Sequence, residues 1–118
     1  MSQMTAQQLD RIFFALSDST RRSILRELAK GEATVGQLSV PFPLAPSTMS
    51  KHLGVLERAG LVERTRAGRH RRTRLTPRPL WSGLDWLAET QRMWNDQLDA
   101  LEALLERERG GPSRGDEG

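Results

Sequence analysis

The sequence predicts a mostly α-helical fold with one small β-hairpin, in the order α-α-α-α-β-β-α. Three observations predict it. Apolar residues recur three and four apart through most of the chain, the period of amphipathic helices. Glycines and prolines punctuate that pattern at Gly31, Pro41 to Pro46, Gly60 and Pro77 to Pro79. Residues 61–75 form two short runs around Gly68, which reads as a hairpin.

The elements follow in order. Leu9, Ile12, Phe13 and Leu16 give the first helix, about residues 5–16. Ser17-Asp18-Ser19 is a cluster of good N-cap residues for a second helix, which buries Ile24, Leu25 and Leu28 and stops at Gly31. Thr34 caps a short helix carrying Val35, Leu38 and Val40. Pro41-Phe42-Pro43-Leu44 must be a turn, and Pro46 fits the first turn of a helix running to Ala59. The runs 61–66 and 70–75 form the hairpin. A long helix spans 79–109, and a tail without an apolar anchor, 110–118, is expected to be disordered. Residues 1–109 then make one domain, as a length of 118 residues suggests.

Two short helices, a turn and a hairpin describe a winged helix-turn-helix, whose second short helix enters the DNA major groove. On a wheel of residues 46–59, Met49, Leu53 and Leu56 form the inward stripe. Ser47 and Lys51 point outward, with Thr48 beside them and Ser50 to one side. Small hydroxyl side chains let a helix sit deep in a groove and meet base edges or phosphates. His52 lies on the flank of the stripe, where helix packing or capping and a phosphate contact both remain open.

Charge sharpens the reading. The formal net charge is only +3, but residues 51–78 hold nine basic and two acidic side chains, while residues 79–118 hold four basic and nine acidic. Sixteen of the 18 basic residues are Arg. Arg64, Arg66, Arg69, Arg71, Arg72 and Arg74 crowd the hairpin. Strand alternation puts Arg64 and Arg66 on one face, and Arg69 and Arg71 belong to the wing tip, near a minor groove or its phosphates. His70 reads as a solvated wing residue. Arg72 or Arg74 is expected to pair with the acidic C-terminal helix, within the protein or across a dimer.

These residues carry a resemblance. Residues 15–25, ALSDSTRRSIL, look like the opening "ALSDPTRRAIL" of the ArsR/SmtB family, and residues 32–38, EATVGQL, resemble its next helix. Residues 47–62, STMSKHLGVLERAGLV, resemble its recognition helix and first wing strand. The resemblance extends over about residues 9–78. It implies a homodimeric repressor that binds an inverted-repeat operator and releases it on an inducing signal. At matching positions it assigns DNA reading to Ser47, Thr48, Ser50, Lys51 and His52, backed by Arg64, Arg66, Arg69 and Arg71.

The resemblance breaks at the sensor. Metal-sensing members carry cysteines in the helix matching Thr34–Leu38, or His, Asp and Glu ligands in the C-terminal helix. This chain has no cysteine, and its two histidines, His52 and His70, lie elsewhere. No metal site and no cofactor are expected, and the inducer is left open.

The long helix predicts a partner. Leu80, Leu84, Leu87, Gln91, Trp94, Leu98, Leu101 and Leu105 alternate three and four apart after Leu80, a heptad seam with Gln91 as its one polar member. A helix of about 30 residues is about 45 Å long, too long for so small a domain to cover. Its own copy is the economical partner, with Leu9 and Phe13 of the first helix alongside. Trp81, Trp86 and Trp94 could line a small-molecule pocket there or simply fill the interface.

No apolar run reaches the roughly 18–20 residues that span a bilayer, and the polar start lacks a signal core, so a cytoplasmic protein is expected. No glycine-rich phosphate loop, cysteine nucleophile or histidine–carboxylate motif supports an enzyme. The reading is a double-stranded DNA-binding homodimeric repressor, with its own operon as a candidate target, which would make it autoregulatory. A low-specificity nucleoid-type binder and a winged-helix protein-interaction module are the alternatives.

Overall fold

A computed structural model describes residues 4–110 of the chain. The expected disordered tail, 110–118, lies outside the described residues apart from Gly110.

Helix α1, Ala6–Leu16, opens on a capping box in which the Thr5 hydroxyl and the Gln8 side chain each accept the other's backbone N–H. Helix α2, Ser19–Leu28, is capped by Asp18, whose carboxylate accepts the Arg21 backbone N–H at 3.0 Å. A two-residue strand β1, Ala33–Thr34, precedes helix α3, Val35–Leu38, which opens on a second capping box between Thr34 and Gln37. Helix α4, Pro46–Arg58, starts on its proline without a side-chain cap. It ends in a Schellman motif. Gly60 takes a φ of 76°, its N–H donates to Glu57, and the Leu61 N–H reaches back to Leu56 at 2.9 Å. Strands β2, Val62–Ala67, and β3, His70–Leu75, form the wing, and helix α5 spans Arg78–Glu108.

Two expectations need correction. The sheet has three antiparallel strands, in the order β1-β3-β2, where a hairpin alone was expected. Ala33 pairs with Thr73 and Thr34 with Arg72, so β1 closes the free edge of β3. A two-residue strand has no alternation to read in advance. Val40 lies outside α3 and is 83 % exposed, because the chain has already turned toward Pro41.

The core confirms the helical periods. Ile24, Leu38, Met49, Leu53, Leu56 and Leu61 are fully buried, with Ile12 and Leu28 almost so. Each such side chain stabilises the fold by about 1.5–3 kcal/mol relative to exposure. Phe42 and Leu44 from the proline turn pack against this cluster, as does Leu80 from the start of α5. Gly83 is buried, and a Cβ built on it would stand 3.6 Å from Ile12.

The packing divides the chain into two compact units, Met1–Gly83 and Leu84–Gly118. The first holds the helix-turn-helix, the wing and the opening turns of α5. The second is the remainder of α5, whose apolar side chains are open. Leu84, Trp94 and Leu98 are each 61 % exposed, and Leu87, Leu101 and Leu105 about half. Among the described residues no helix is long and apolar enough to cross a membrane.

Candidate nucleic-acid interface

Helix α4 presents the face its periodicity requires. Met49, Leu53 and Leu56 hold it to the core, and Ser47, Thr48, Ser50 and Lys51 are exposed. Their hydroxyl and ammonium groups can donate to phosphate or base acceptors, and their size leaves the helix backbone open to close approach.

His52 is half-buried, and its surroundings explain why. Arg21, 8 % exposed, stands 3.4 Å away, with its Nη1 facing the His52 Nδ1. A guanidinium only donates, so this contact is a hydrogen bond in the tautomer that leaves Nδ1 free to accept. Arg21 also donates from Nε to the Ala15 carbonyl and from Nη2 to the Phe14 carbonyl, each at 2.9 Å. Its guanidinium lies 5.0 Å from the Phe14 ring centre. Arg22 donates to the Leu16 carbonyl at 2.7 Å. Two cations thus close the orphan carbonyls at the end of α1, where the helix dipole favours positive charge. Arg21 thereby ties α1 to α4. Sequence reasoning missed this role, although the Arg pair three and four residues after the Asp18 cap was the available signal. The Arg21 backbone N–H holds the Asp18 carboxyl below its ordinary value, and the Arg21 guanidinium reinforces it against burial.

The wing turns through Gly68, with φ 64° at the first central position of a two-residue loop between Ala67 and His70. That is the glycine a type II′ hairpin demands. Register then sorts the arginines. Arg64 lies opposite Thr73 and Arg66 opposite Arg71, on one face; Glu63 lies opposite Arg74 and Thr65 opposite Arg72, on the other.

Three wing arginines meet carboxylates. Arg74 donates two hydrogen bonds to Glu63, which holds its guanidinium above the ordinary value. Arg72 is 3.9 Å from Glu32. Arg64 donates to Glu57 of α4 at 3.2 Å, and its side chain is only 16 % exposed. Within one chain Arg72 and Arg74 thus meet Glu32 and Glu63 and not the C-terminal helix, because strand register and the β1 edge bring these carboxylates nearer. Arg66, Arg69 and Arg71 are exposed and meet no carboxylate among the described residues. His70 is exposed, as expected.

Two grooves join these parts. One, about 270 Å³, is lined by Glu57, Arg64, Thr65, Arg66 and Arg71, between α4 and the wing. The other, about 440 Å³, runs from the first turn of α3 to Arg69, His70 and Arg71 at the wing tip. The wing tip thus borders both short helices. Arg66 and Arg71 face each other across the strands, a like-charge pair that costs stability unless an anion lies between them. Leu9 and Phe13, the interface candidates of α1, are half-buried. Among the described residues no group of three or more His, Cys, Asp or Glu side chains is placed to hold a metal ion.

Known proteins share this arrangement. Residues 16–65 match the family model of a helix-turn-helix domain. The HTH-type transcriptional regulator Rv2034 of Mycobacterium tuberculosis is 37 % identical over 100 residues, which cover 84 % of this chain and 90 % of that protein. The crystal structure of the ArsR family transcriptional regulator RHA00566 superposes with a TM-score of 0.73 at 39 % identity, covering 80 % of this chain and 97 % of that one. The solution structure of the homodimeric winged helix-turn-helix DNA-binding domain of Mb0332 from Mycobacterium bovis gives a TM-score of 0.57 at 26 % identity, covering 84 % and 94 %.

Proposed function

Because the chain belongs to the ArsR family of winged helix-turn-helix transcriptional regulators, we propose that it is a homodimeric repressor of an inverted-repeat operator, acting in the cytoplasm and including its own operon among its targets. The observation that carries the reading is the pairing of Arg66 with Arg71 across the wing, neither of them in an ion pair among the described residues. The one carboxylate in their groove, Glu57, is already paired with Arg64, whereas a DNA phosphate would offset the repulsion.

In this reading Ser47, Thr48, Ser50 and Lys51 contact the major groove from α4. Arg66, Arg69 and Arg71 take backbone phosphates or the neighbouring minor groove. Arg64 works at one remove: it neutralises Glu57, which would otherwise repel DNA beside the recognition helix. His52 serves α4 by packing against Arg21, and a phosphate contact is its second role in this reading.

The dimer reading is supported by the open seam on α5 and by the homodimeric relative. Helices in proteins owe most of their stability to packing an apolar face, so the exposed Leu84, Leu87, Trp94, Leu98, Leu101 and Leu105 call for a partner. Leu9 and Phe13 extend the interface along α1. Two-fold symmetry would place the two recognition helices in successive major grooves, about 34 Å apart. The inducing signal is read as non-metal, because the chain has no cysteine.

Footprinting on the DNA upstream of the protein's own gene tests the reading. One protected, two-fold symmetric segment is expected, with affinity falling steeply as salt rises. Uniform coating without a bounded footprint would point to a low-specificity binder, and no salt-sensitive binding at all to a protein-interaction module.

A further inference from the structure

A second concavity lies away from the groove-facing residues. A cavity of about 380 Å³ forms where α1, the carboxyl end of α4 and the first turn of α5 meet, all within the first unit. Its size falls in the range of about 300–1,000 Å³ typical of small-molecule sites. Three elements each bring one arginine to its lining: Arg11 from α1, Arg58 from the last turn of α4, and Arg78 from the first residue of α5. Met4, Ile12 and Pro79 supply apolar carbon between them. Among the described residues none of the three arginines meets a carboxylate.

We propose that this cavity binds a small amphipathic carboxylate, its head on the three arginines and its alkyl part on Met4, Ile12 and Pro79. Three like charges gathered from separate elements repel one another and gain nothing until an anion joins them. A guanidinium also matches a carboxylate in planar, paired hydrogen bonds. A bare inorganic anion would leave the apolar wall facing water, and a neutral alkyl group would leave the cations uncompensated. The floor depends on Gly60. Its φ of 76° favours glycine, and a Cβ there would only just touch the Pro79 ring, at 3.4 Å, so the end of α4 and the start of α5 are in contact at this position. The cavity is thus built by the same short link that terminates the recognition helix. Occupation is thermodynamically coupled to any rearrangement of that link, and any effect on operator affinity must be reciprocal. That consequence rests on the regulator reading; the site itself does not.

The test uses the full-length protein with octanoate, octanol and inorganic phosphate as probes, followed by methyl NMR. Octanoate is expected to shift the Met4 and Ile12 methyl signals saturably. Octanol and phosphate should bind at least about tenfold more weakly, since each lacks one half of what the site contacts, the charged head or the alkyl part. The double variant R11Q/R58Q, checked for an unchanged thermal midpoint, should weaken octanoate by about 10–100-fold. Three results overturn the proposal: no saturable shift with octanoate, equal binding of octanol, or equal binding of octanoate by the double variant. A double variant that loses its dimeric mass while the wild type ignores octanoate also overturns it, and assigns these arginines to carboxylates of the second copy. Operator binding is scored separately on the wild type. A protein that binds operator but not octanoate loses this site and keeps the regulator reading; the reverse pattern does the opposite.

Discussion

Lys51 and Asp18 show how single side chains can be assigned to function or to folding. Lys51 is exposed on α4 and forms no ion pair among the described residues, so its removal touches nothing in the core. Lys51→Ala should leave the unfolding midpoint unchanged and weaken operator binding by about 1–3 kcal/mol, roughly 5–150-fold. Mobility-shift titration of wild type and variant measures this; equal affinities would remove Lys51 from the interface. Asp18 is the opposite case. Its folded carboxyl is held below the ordinary value of 3.8 by the Arg21 backbone N–H. A group with a depressed folded value stabilises the protein above its unfolded value, and that contribution is lost as pH falls through the folded one. Asp18→Asn keeps an N-cap acceptor but cannot titrate. Wild type should therefore be the more stable near pH 7, with the gap closing below pH 3.8. Denaturant midpoints at the two pH values check it, and a gap that persists in acid would deny the cap its charge.

At the element scale the wing trades stability for charge. Arg66→Gln with Arg71→Gln removes a directly opposed cation pair, so the hairpin should gain about 0.2–1 kcal/mol. Operator affinity should fall, and the slope of log K against log salt should flatten by about 0.9 for each phosphate that the wing no longer neutralises. Titrations at several salt concentrations, beside a thermal melt, give both numbers; an unchanged slope would take the wing off the DNA. Much of this element was legible beforehand. Alternation alone puts Arg64 and Arg66 on one face, and Gly68 marks the turn. The stripe of Met49, Leu53 and Leu56 and the caps at Thr34 and in the Ser17–Ser19 cluster were legible for the same reason: each is set by neighbours within a turn or two of chain. What escaped depends on long-range register. Glu63 faces Arg74 only because the strands pair as they do, and Glu57 reaches Arg64 only once α4 lies against β2. The Arg21 clasp joins residues 31 positions apart, which no local pattern encodes.

For the whole molecule, the distribution of exposed carbon is decisive. The first unit buries a continuous core around Ile24, Leu38 and Leu53, while the second leaves a regular row of leucines open. The two facts are consistent if the protein completes itself in pairs. A core this small gives limited stability to one copy, and the α5 seam is the apolar surface left over. Pairing also multiplies affinity: two linked recognition helices on a symmetric site gain about 10²–10⁴ over one, with the same contacts to DNA at each half-site. Replacing Leu98 and Leu101 with Gln strikes both consequences together. Light scattering should fall from the mass of two chains to that of one, and the helical circular dichroism should drop, because 25 residues of α5, 84–108, lose their partner. The wild type should show a melting temperature that rises with protein concentration, and the variant should lose that dependence. Operator affinity should fall by the avidity factor, while binding to an isolated half-site stays near the wild-type value, since α4 and the wing are untouched. A double variant that keeps the dimeric mass would place the interface elsewhere, and one that becomes monomeric yet retains full operator affinity would separate dimerisation from DNA recognition.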